Sequence, residues 1–327
     1  MNNFYHKLAF VMIATFILVK GVVGDDPGDL SSEEPTQITT KGLHNVYRIT
    51  DKMVCGSSPD GESGFQSLKE LGVKTIISVD GGRPDVTSAT KFDMRYVHLP
   101  IGYDGIPRAQ VLLLAKAVQE LPGPIYIHCH HGKHRGPAAV AAIRLCLDDK
   151  CTIEMALKVM TKAGTDPRYQ GLYDVPRKLV RPTNEELDKV SADFAEVAEV
   201  SDLAKLMVEI DARWDHLKTI QAADWKAPKD SPELDPSHEA LMLAEQLKES
   251  ARLPKVKDRP EQFRDMLTRA EEEASNLEQL IRLSKRSGKL NLAGVDESFQ
   301  RMKVSCVQCH ENYRDKPQVS YSDRGPE

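Results

Sequence analysis

"YIHCHHGKHRGPAAVAAIRLCL", Tyr126 to Leu147, is the stretch that decides how the first half of this chain folds. Four histidines, a cysteine, a lysine and an arginine crowd between His128 and Arg135. Ahead of them, "PIYIHC" is a short apolar, β-branched run that reads as a buried strand. Behind them, "PAAVAAIRLCL" reads as a buried helix, with Pro137 in the first turn, where its missing N–H is tolerated. A loop between such a strand and helix lies at the C-terminal edge of a parallel sheet, where folds of this kind place ligands. That position argues against a basic surface loop. A zinc or copper knot is a second reading, but the residues follow one another too closely to converge on one ion.

Working outward, short strands alternate with helices. "VYRI" and "KTIISVD" read as strands, with the helical "GFQSLKELG" between them and Gly72 at its C-terminal end. "RYVHLP" and "PIYIHC" are further strands, separated by the amphipathic helix "AQVLLLAKAVQEL". This alternation predicts an α/β domain over 43–180 with a mainly parallel sheet and helices on its faces. After "VRPTNEEL" strand signals fade. Leu203, Met207, Ile210, Trp214 and Leu217 form one apolar seam, and Ala240, Leu243, Ala244 and Leu247 a second, opened by Asp235 as N-cap and Pro236 at the first helical position. Phe263, Leu267, Ala270, Ala274, Leu277 and Ile281 form a third seam; Phe299, Met302, Cys306, His310 and Tyr313 share the face of a fourth helix. These predict an all-α four-helix bundle over 184–318, followed by a tail, 319–327.

In the loop, Cys129 and Arg135 are separated by five residues. A loop of that length can turn its backbone N–H groups inward, and the following helix adds the positive end of its dipole. Such a cradle favours a dianion and lowers the pKa of a cysteine at its base. Arg135 can grip two phosphoryl oxygens, and Gly132 permits the tight turn. His128-Cys129-x5-Arg135 resembles the signature of the cysteine-based protein tyrosine phosphatase superfamily. Gly132-Lys133-His134-Arg135 is similar to its atypical dual-specificity members, a group that includes inositol pyrophosphate phosphatases. The resemblance implies phosphate monoester hydrolysis through a cysteinyl-phosphate, with a phosphoprotein or a polyphosphorylated small molecule as substrate. It implies Cys129 as nucleophile, Arg135 as transition-state clamp, and phosphate contacts from His130, His131, Gly132, Lys133, His134, Arg135 and Gly136. The acid that protonates the leaving oxygen is expected at Asp104, in "HLPIGYDGIP", with Asp80 and Asp85 as alternatives. The family usually has Ser or Thr where this chain has Gly136. That departure keeps open a domain that binds a phosphorylated ligand without turning it over.

Cys306-Val307-Gln308-Cys309-His310 is the attachment pattern of c-type haem. On a helix its donors lie at i, i+3 and i+4 and face one way. A disulfide and half a zinc site are the competing readings. A CxxCH motif closing a four-helix bundle, with Arg314 following, resembles cytochrome c′. That resemblance implies one covalent haem c on Cys306 and Cys309, His310 as axial ligand to iron, and a gas ligand or redox partner at the haem. Met207 could be a sixth ligand, but a methionine on such a seam is far more often core. The expected whole is a haem-bearing phosphatase whose haem domain senses redox state or gas. The alternative is a haem sensor or electron carrier with a phosphate-binding domain.

Residues 1–24 carry Lys7, the apolar run Leu8–Val19 and small residues at Val22 and Gly24, the pattern of a cleaved signal peptide, with an uncleaved anchor as the alternative because Lys20 interrupts the small residues. A periplasmic or secreted protein with no membrane span after cleavage is therefore expected, with 25–42 as a flexible leader. The net charge of -5 gives no reason to expect nucleic acid. In an oxidising compartment Cys146 could pair with Cys151, and Cys55 could approach Cys129.

Overall fold

The computed structural model describes residues 34–287 and 291–316. The expected signal peptide, most of the leader and the 319–327 tail lie outside the described residues. The chain opens with strands β1 (Thr36–Ile38), β2 (Val46–Arg48) and β3 (Met53–Ser57), paired antiparallel in succession. Helix α1 (Gly61–Glu70), β4 (Thr75–Ser78), α2 (Val86–Lys91), β5 (Arg95–His98), α3 (Arg108–Glu120) and β6 (Ile125–Cys129) follow. The sheet order is β1-β2-β3-β6-β4-β5, and β6 runs parallel to both β3 and β4, as β4 does to β5. Then come α4 (Arg135–Leu147), α5 (Ile153–Ala163), α6 (Gln170–Lys178) and the short α7 (Asn184–Asp188).

β6 is central, and every one of its residues is buried. Alternate side chains serve opposite faces of the sheet. Ile125, Ile127 and Cys129 join the core beneath α3–α6, whereas Tyr126 joins the core formed by Phe65, Leu68 and Ala89 of α1 and α2. A strand covered on both faces explains the unbroken apolar run in the sequence. It also places Cys129 at the C-terminal edge of the sheet, as expected.

The flexible-leader expectation fails at its C-terminal end. Thr36–Ile38 pairs with β2, and Glu34 bridges to Lys158 and Lys162 of α5. Backbone pairing at a sheet edge asks little of composition, so a Ser/Thr-rich segment can supply it. The domain boundary also moves. Leu187 and Phe194 lie in the first core, the His98 amide donates to Ala195 O at 2.9 Å, and the Ala198 amide donates to His98 Nδ1 at 3.1 Å. Residues 184–198 therefore belong to the α/β unit rather than to the bundle.

The helical unit comprises α8 (Asp202–Ala222), α9 (Pro236–Arg252), a single-turn α10 (Pro254–Lys257), α11 (Glu261–Ser287) and α12 (Leu292–Tyr313). Asp235 caps α9 by accepting from the His238 amide, with Pro236 in the first turn. The predicted seams form one core, in which α8, α9, α11 and α12 pack in succession. Trp214 of α8 stacks on Phe299 of α12 at 4.2 Å, and Asp296 accepts from Gln221 and Trp225, so the four long helices close into a bundle. No described helix is long and apolar enough to cross a membrane. The described cysteines are all free thiols, so neither Cys146 with Cys151 nor Cys55 with Cys129 is joined.

Candidate active site

The loop between β6 and α4 is held from outside. The Ser58 amide donates to His130 O at 3.1 Å, Asn45 Nδ2 to Gly132 O at 3.0 Å, and Thr165 Oγ1 to Lys133 O at 2.6 Å. Carbonyls fixed outward turn the opposite edges of their peptide planes, the N–H groups, inward. Among the described residues, the amides of His131 to Gly136 have no partner in the fold. His134 begins α4 without a side-chain cap, so the first amides of a 13-residue helix also face outward unsatisfied. Gly132 has φ +69°, and a Cβ there would lie 2.3 Å from the Gly56 carbonyl carbon. Only glycine allows the loop to press against β3 and curl.

Cys129 sits at the base of this cradle, 2% exposed. Arg135 lies beside it, largely shielded from solvent. Its Nη2 donates to Asp80 Oδ2 at 2.8 Å, and its Nε is buried with no partner. An unpaired guanidinium N–H at the base of an amide-lined cradle is a binding position for an anion oxygen. Asp80 also accepts from the amides of His130 (2.6 Å) and Gly82 (2.9 Å). Burial would raise its pKa, but Arg135 and these amides outweigh burial and hold it at about 2. A carboxylate so firmly ionised cannot donate a proton near neutrality, so Asp80 is an anchor and not the acid. Asp85 accepts from the Ser88 amide as the N-cap of α2. Asp104 remains: half-buried, it lines the cavity that contains Arg135 and His130, with Gly105 at φ +138° beside it.

The histidines contribute less charge than their number suggests. Burial, then His131, pushes His134 down to about 4, and burial, then His130, lowers His131. Only His130 is raised, by its hydrogen bond to Asp215 of α8. Lys133 is exposed, with its carbonyl rather than its ammonium built into the loop. His128 lies beneath the loop, its Nε2 2.6 Å from Tyr96 Oη, and burial pushes it down to about 4. The walls of the mouth are aromatic: Tyr103, Tyr169 and His134 form one cluster, with Tyr103 4.6 Å from Tyr169. Tyr103 lies between two guanidinium groups, Arg135 at 4.7 Å and Arg314 at 4.3 Å. Arg314 comes from the end of the helical unit.

The two motifs singled out in the sequence meet. One cavity of about 820 Å³ is lined by Asp80, Tyr103, Asp104, His130 and Arg135 on one side. On the other lie Cys306, Cys309 and His310, among Leu243, Leu247, Phe263, Leu267 and Met302; Met207 also faces it. Its volume falls within the ~300–1,000 Å³ of cofactor and ligand sites. The two thiols are free, and burial pushes Cys306 up to about 11. Burial, then Arg314, pushes His310 down to about 3, leaving a neutral imidazole of the kind iron requires. Among the described residues, no further His, Cys or carboxylate joins Cys306, Cys309 and His310 at metal-ligand spacing, so half a zinc site gains nothing. Room, apolar walls and donors on one face all fit a covalently attached haem.

Gly136 is explained by packing. A Cβ there would meet the Cys129 amide nitrogen at 3.3 Å and Cys55 Sγ at 3.4 Å. Burial, then Cys129, raises the Cys55 thiol well above its ordinary pKa.

The N-terminal unit resembles dual-specificity phosphatases. The chain is 31% identical over 126 residues to the dual specificity protein phosphatase TpbA of Pseudomonas aeruginosa, covering 37% of this chain and 55% of that protein. It thus spans about half the length of the curated relatives it matches. Among solved structures, P. aeruginosa TpbA aligns over 49% of this chain and 95% of its own, at 23% identity and a TM-score of 0.40. The core catalytic domain of the PP-IP phosphatase SIW14 from S. cerevisiae aligns over 47% and 90%, at 17% identity and a TM-score of 0.33. No family model matches the chain.

Several site residues escaped sequence reading. Asn45 and Thr165 hold the loop from distant parts of the chain, and nothing local marks them. Tyr103 stands next to Asp104, and an aromatic beside an expected acid is the sequence signal for a wall of the site. Arg314 was singled out only as a haem-domain arginine. Asp211 and Asp215 sit on a helix whose polar face reads as solvated.

Proposed function

We propose that this chain is a cysteine-dependent phosphatase that hydrolyses phosphate monoesters, with a covalent haem c in its helical unit. One observation carries the first part: Arg135 is fixed by Asp80 through Nη2 while its buried Nε is left for an anion, above Cys129 and a loop of unpaired amides. In this reading Cys129 Sγ attacks phosphorus and the P–O bond to the leaving group breaks. Asp104 gives its proton to the departing oxygen. The loop amides and Arg135 take the charge that gathers on the equatorial oxygens. Asp104, now a carboxylate, removes a proton from the water that attacks the cysteinyl-phosphate. Inorganic phosphate leaves and Cys129 is regenerated. The aromatic walls favour aryl phosphates, as on phosphotyrosine, over polyphosphorylated small molecules. Purified full-length protein should release phosphate from para-nitrophenyl phosphate, and Cys129→Ser should abolish release. Activity that survives this substitution overturns the nucleophile assignment.

Cys306 and Cys309 would hold the haem as thioethers and His310 would ligate its iron; the group supplies a redox-active iron able to bind a small ligand. Export belongs to the same reading, because bacterial haem c is attached after translocation. An absorption spectrum of protein made with haem-attachment machinery tests it, and a colourless product sinks it. Gly136 favours a second reading, a haem sensor or electron carrier whose other unit only binds a phosphorylated ligand. Without a hydroxyl to help the thiolate leave, breakdown of a phospho-enzyme would be slow. Tight oxyanion binding with neither burst nor turnover, over a panel of phosphoesters, identifies that case.

A further inference from the structure

The loop that forms the anion cradle also presents two imidazoles to the helical unit. His130 Nε2 lies 3.4 Å from Asp215 Oδ2 and 3.9 Å from Asp211 Oδ2, and His131 Nε2 lies 3.9 Å from Asp215 Oδ2. The donor atoms of His130, His131 and Asp215 all fall within 4.8 Å of one another, and no other such group of His, Cys, Asp or Glu occurs among the described residues. We propose that His130, His131 and Asp215, with Asp211 as a fourth donor, form a site for a divalent transition metal that joins this loop to α8.

The spacing is close to what a metal needs. Ligand bonds of ~2.0–2.2 Å in tetrahedral geometry put neighbouring donors about 3.3 Å apart. The imidazole–carboxylate separations of 3.4–3.9 Å, within a group no wider than 4.8 Å, close to that value with side-chain shifts of about an ångström. Asp211 and Asp215 stand at i and i+4 on α8, so both carboxylates leave the same face. The expectation that these residues follow one another too closely to share an ion does not hold for His130 and His131: their ring centres lie 4.3 Å apart and both Nε2 atoms face Asp215, on a loop whose carbonyls are already tied down. Lys218 pairs with Asp215 Oδ1, leaving Oδ2 toward the histidines and orienting the ligand as outer partners do in metal sites. A proton can bridge only one ring to Asp215 at a time, whereas one cation satisfies both rings and a carboxylate together. Two imidazoles with one or two carboxylates suit zinc and other borderline divalent ions rather than calcium or magnesium. Side-chain exposures of 35% at His130, 41% at His131 and 30% at Asp215 leave a path for the ion.

The site does not depend on the phosphatase reading, because its test needs no substrate. Full-length protein freed of metal with a chelator is dialysed against Zn2+, its metal content is measured, and its affinity is obtained by calorimetry. Wild type should hold one equivalent of Zn2+ that Asp215→Asn loses or binds at least about tenfold more weakly; Asp211→Asn should weaken it less. Thiol sites common to all these proteins cancel in the difference. Zn2+ should raise the unfolding temperature of wild type by more than that of Asp215→Asn. His131→Gln, on the other element, should reproduce the loss and serves if Asp215→Asn folds poorly. Equal stoichiometry and affinity in wild type and either variant would overturn the proposal.

Discussion

Replacing Asp80 with Asn tests the charge balance on which the cradle rests. Asp80 and Arg135 are 9% and 12% exposed at their side chains and meet at 2.8 Å. Holding the carboxyl at about 2 instead of 3.8 corresponds to about 2 kcal/mol of folding stability at neutral pH. The folded value is the depressed one, so this contribution is present above the unfolded value and is lost as pH falls toward the folded one. Asp80→Asn removes it at every pH and leaves Arg135 buried without its counter-ion, which adds to the loss. Urea unfolding of wild type and variant should therefore differ by at least about 2 kcal/mol at pH 7. The part due to Asp80 ionisation should fall by roughly half near pH 3. A gap below about 0.5 kcal/mol at pH 7, the ordinary scatter of surface substitutions, would refute the reasoning. So would a gap that does not change with pH.

Gly132→Ala places a Cβ 2.3 Å from the Gly56 carbonyl carbon at φ +69°; a cost of about 1–3 kcal/mol and loss of vanadate binding are expected, both measurable by thermal shift. Gly136→Ser should cost about 1–3 kcal/mol through crowding against Cys55, and Cys55→Ala should relieve it, which a double-mutant cycle in urea detects as non-additivity. Arg314→Ala removes one of the two guanidinium groups on Tyr103. At about 1 kcal/mol for the contact, KM for an aryl phosphate should rise roughly fivefold while kcat stays within twofold, and an unchanged KM would show that the helical unit takes no part in this site.

The α/β frame was legible because β4, β5 and β6 are buried on both faces and read as apolar runs between amphipathic helices. β1 and β3 were not. Thr36–Ile38 is held by its partner strand, and β3 reads "MVCGS", where Gly56 lets the buried Tyr126 hydroxyl pass and donate to Ser57 O at 2.7 Å. Nothing local announces either. The bundle seams were legible for the opposite reason: a single helix carries its whole apolar face in its own periodicity, and all four faces found one another.

The sequence by itself determined the features set by short-range geometry. Cys129 and Arg135 bracket one loop, Gly132 makes its turn, and Cys306, Cys309 and His310 share one helix face because the period of an α-helix puts them there. Tertiary structure decided what depends on charge and distance through space. It made Asp80 an anchor instead of an acid, muted His131 and His134, and tied the loop carbonyls to Asn45 and Thr165. It also set the CxxCH motif and the phosphate cradle on two walls of one cavity, although some 170 residues separate Arg135 from Cys306. Chain spacing carries no information about such contacts, because burial and the low-dielectric neighbours that shift a charge are assembled from elements far apart in sequence.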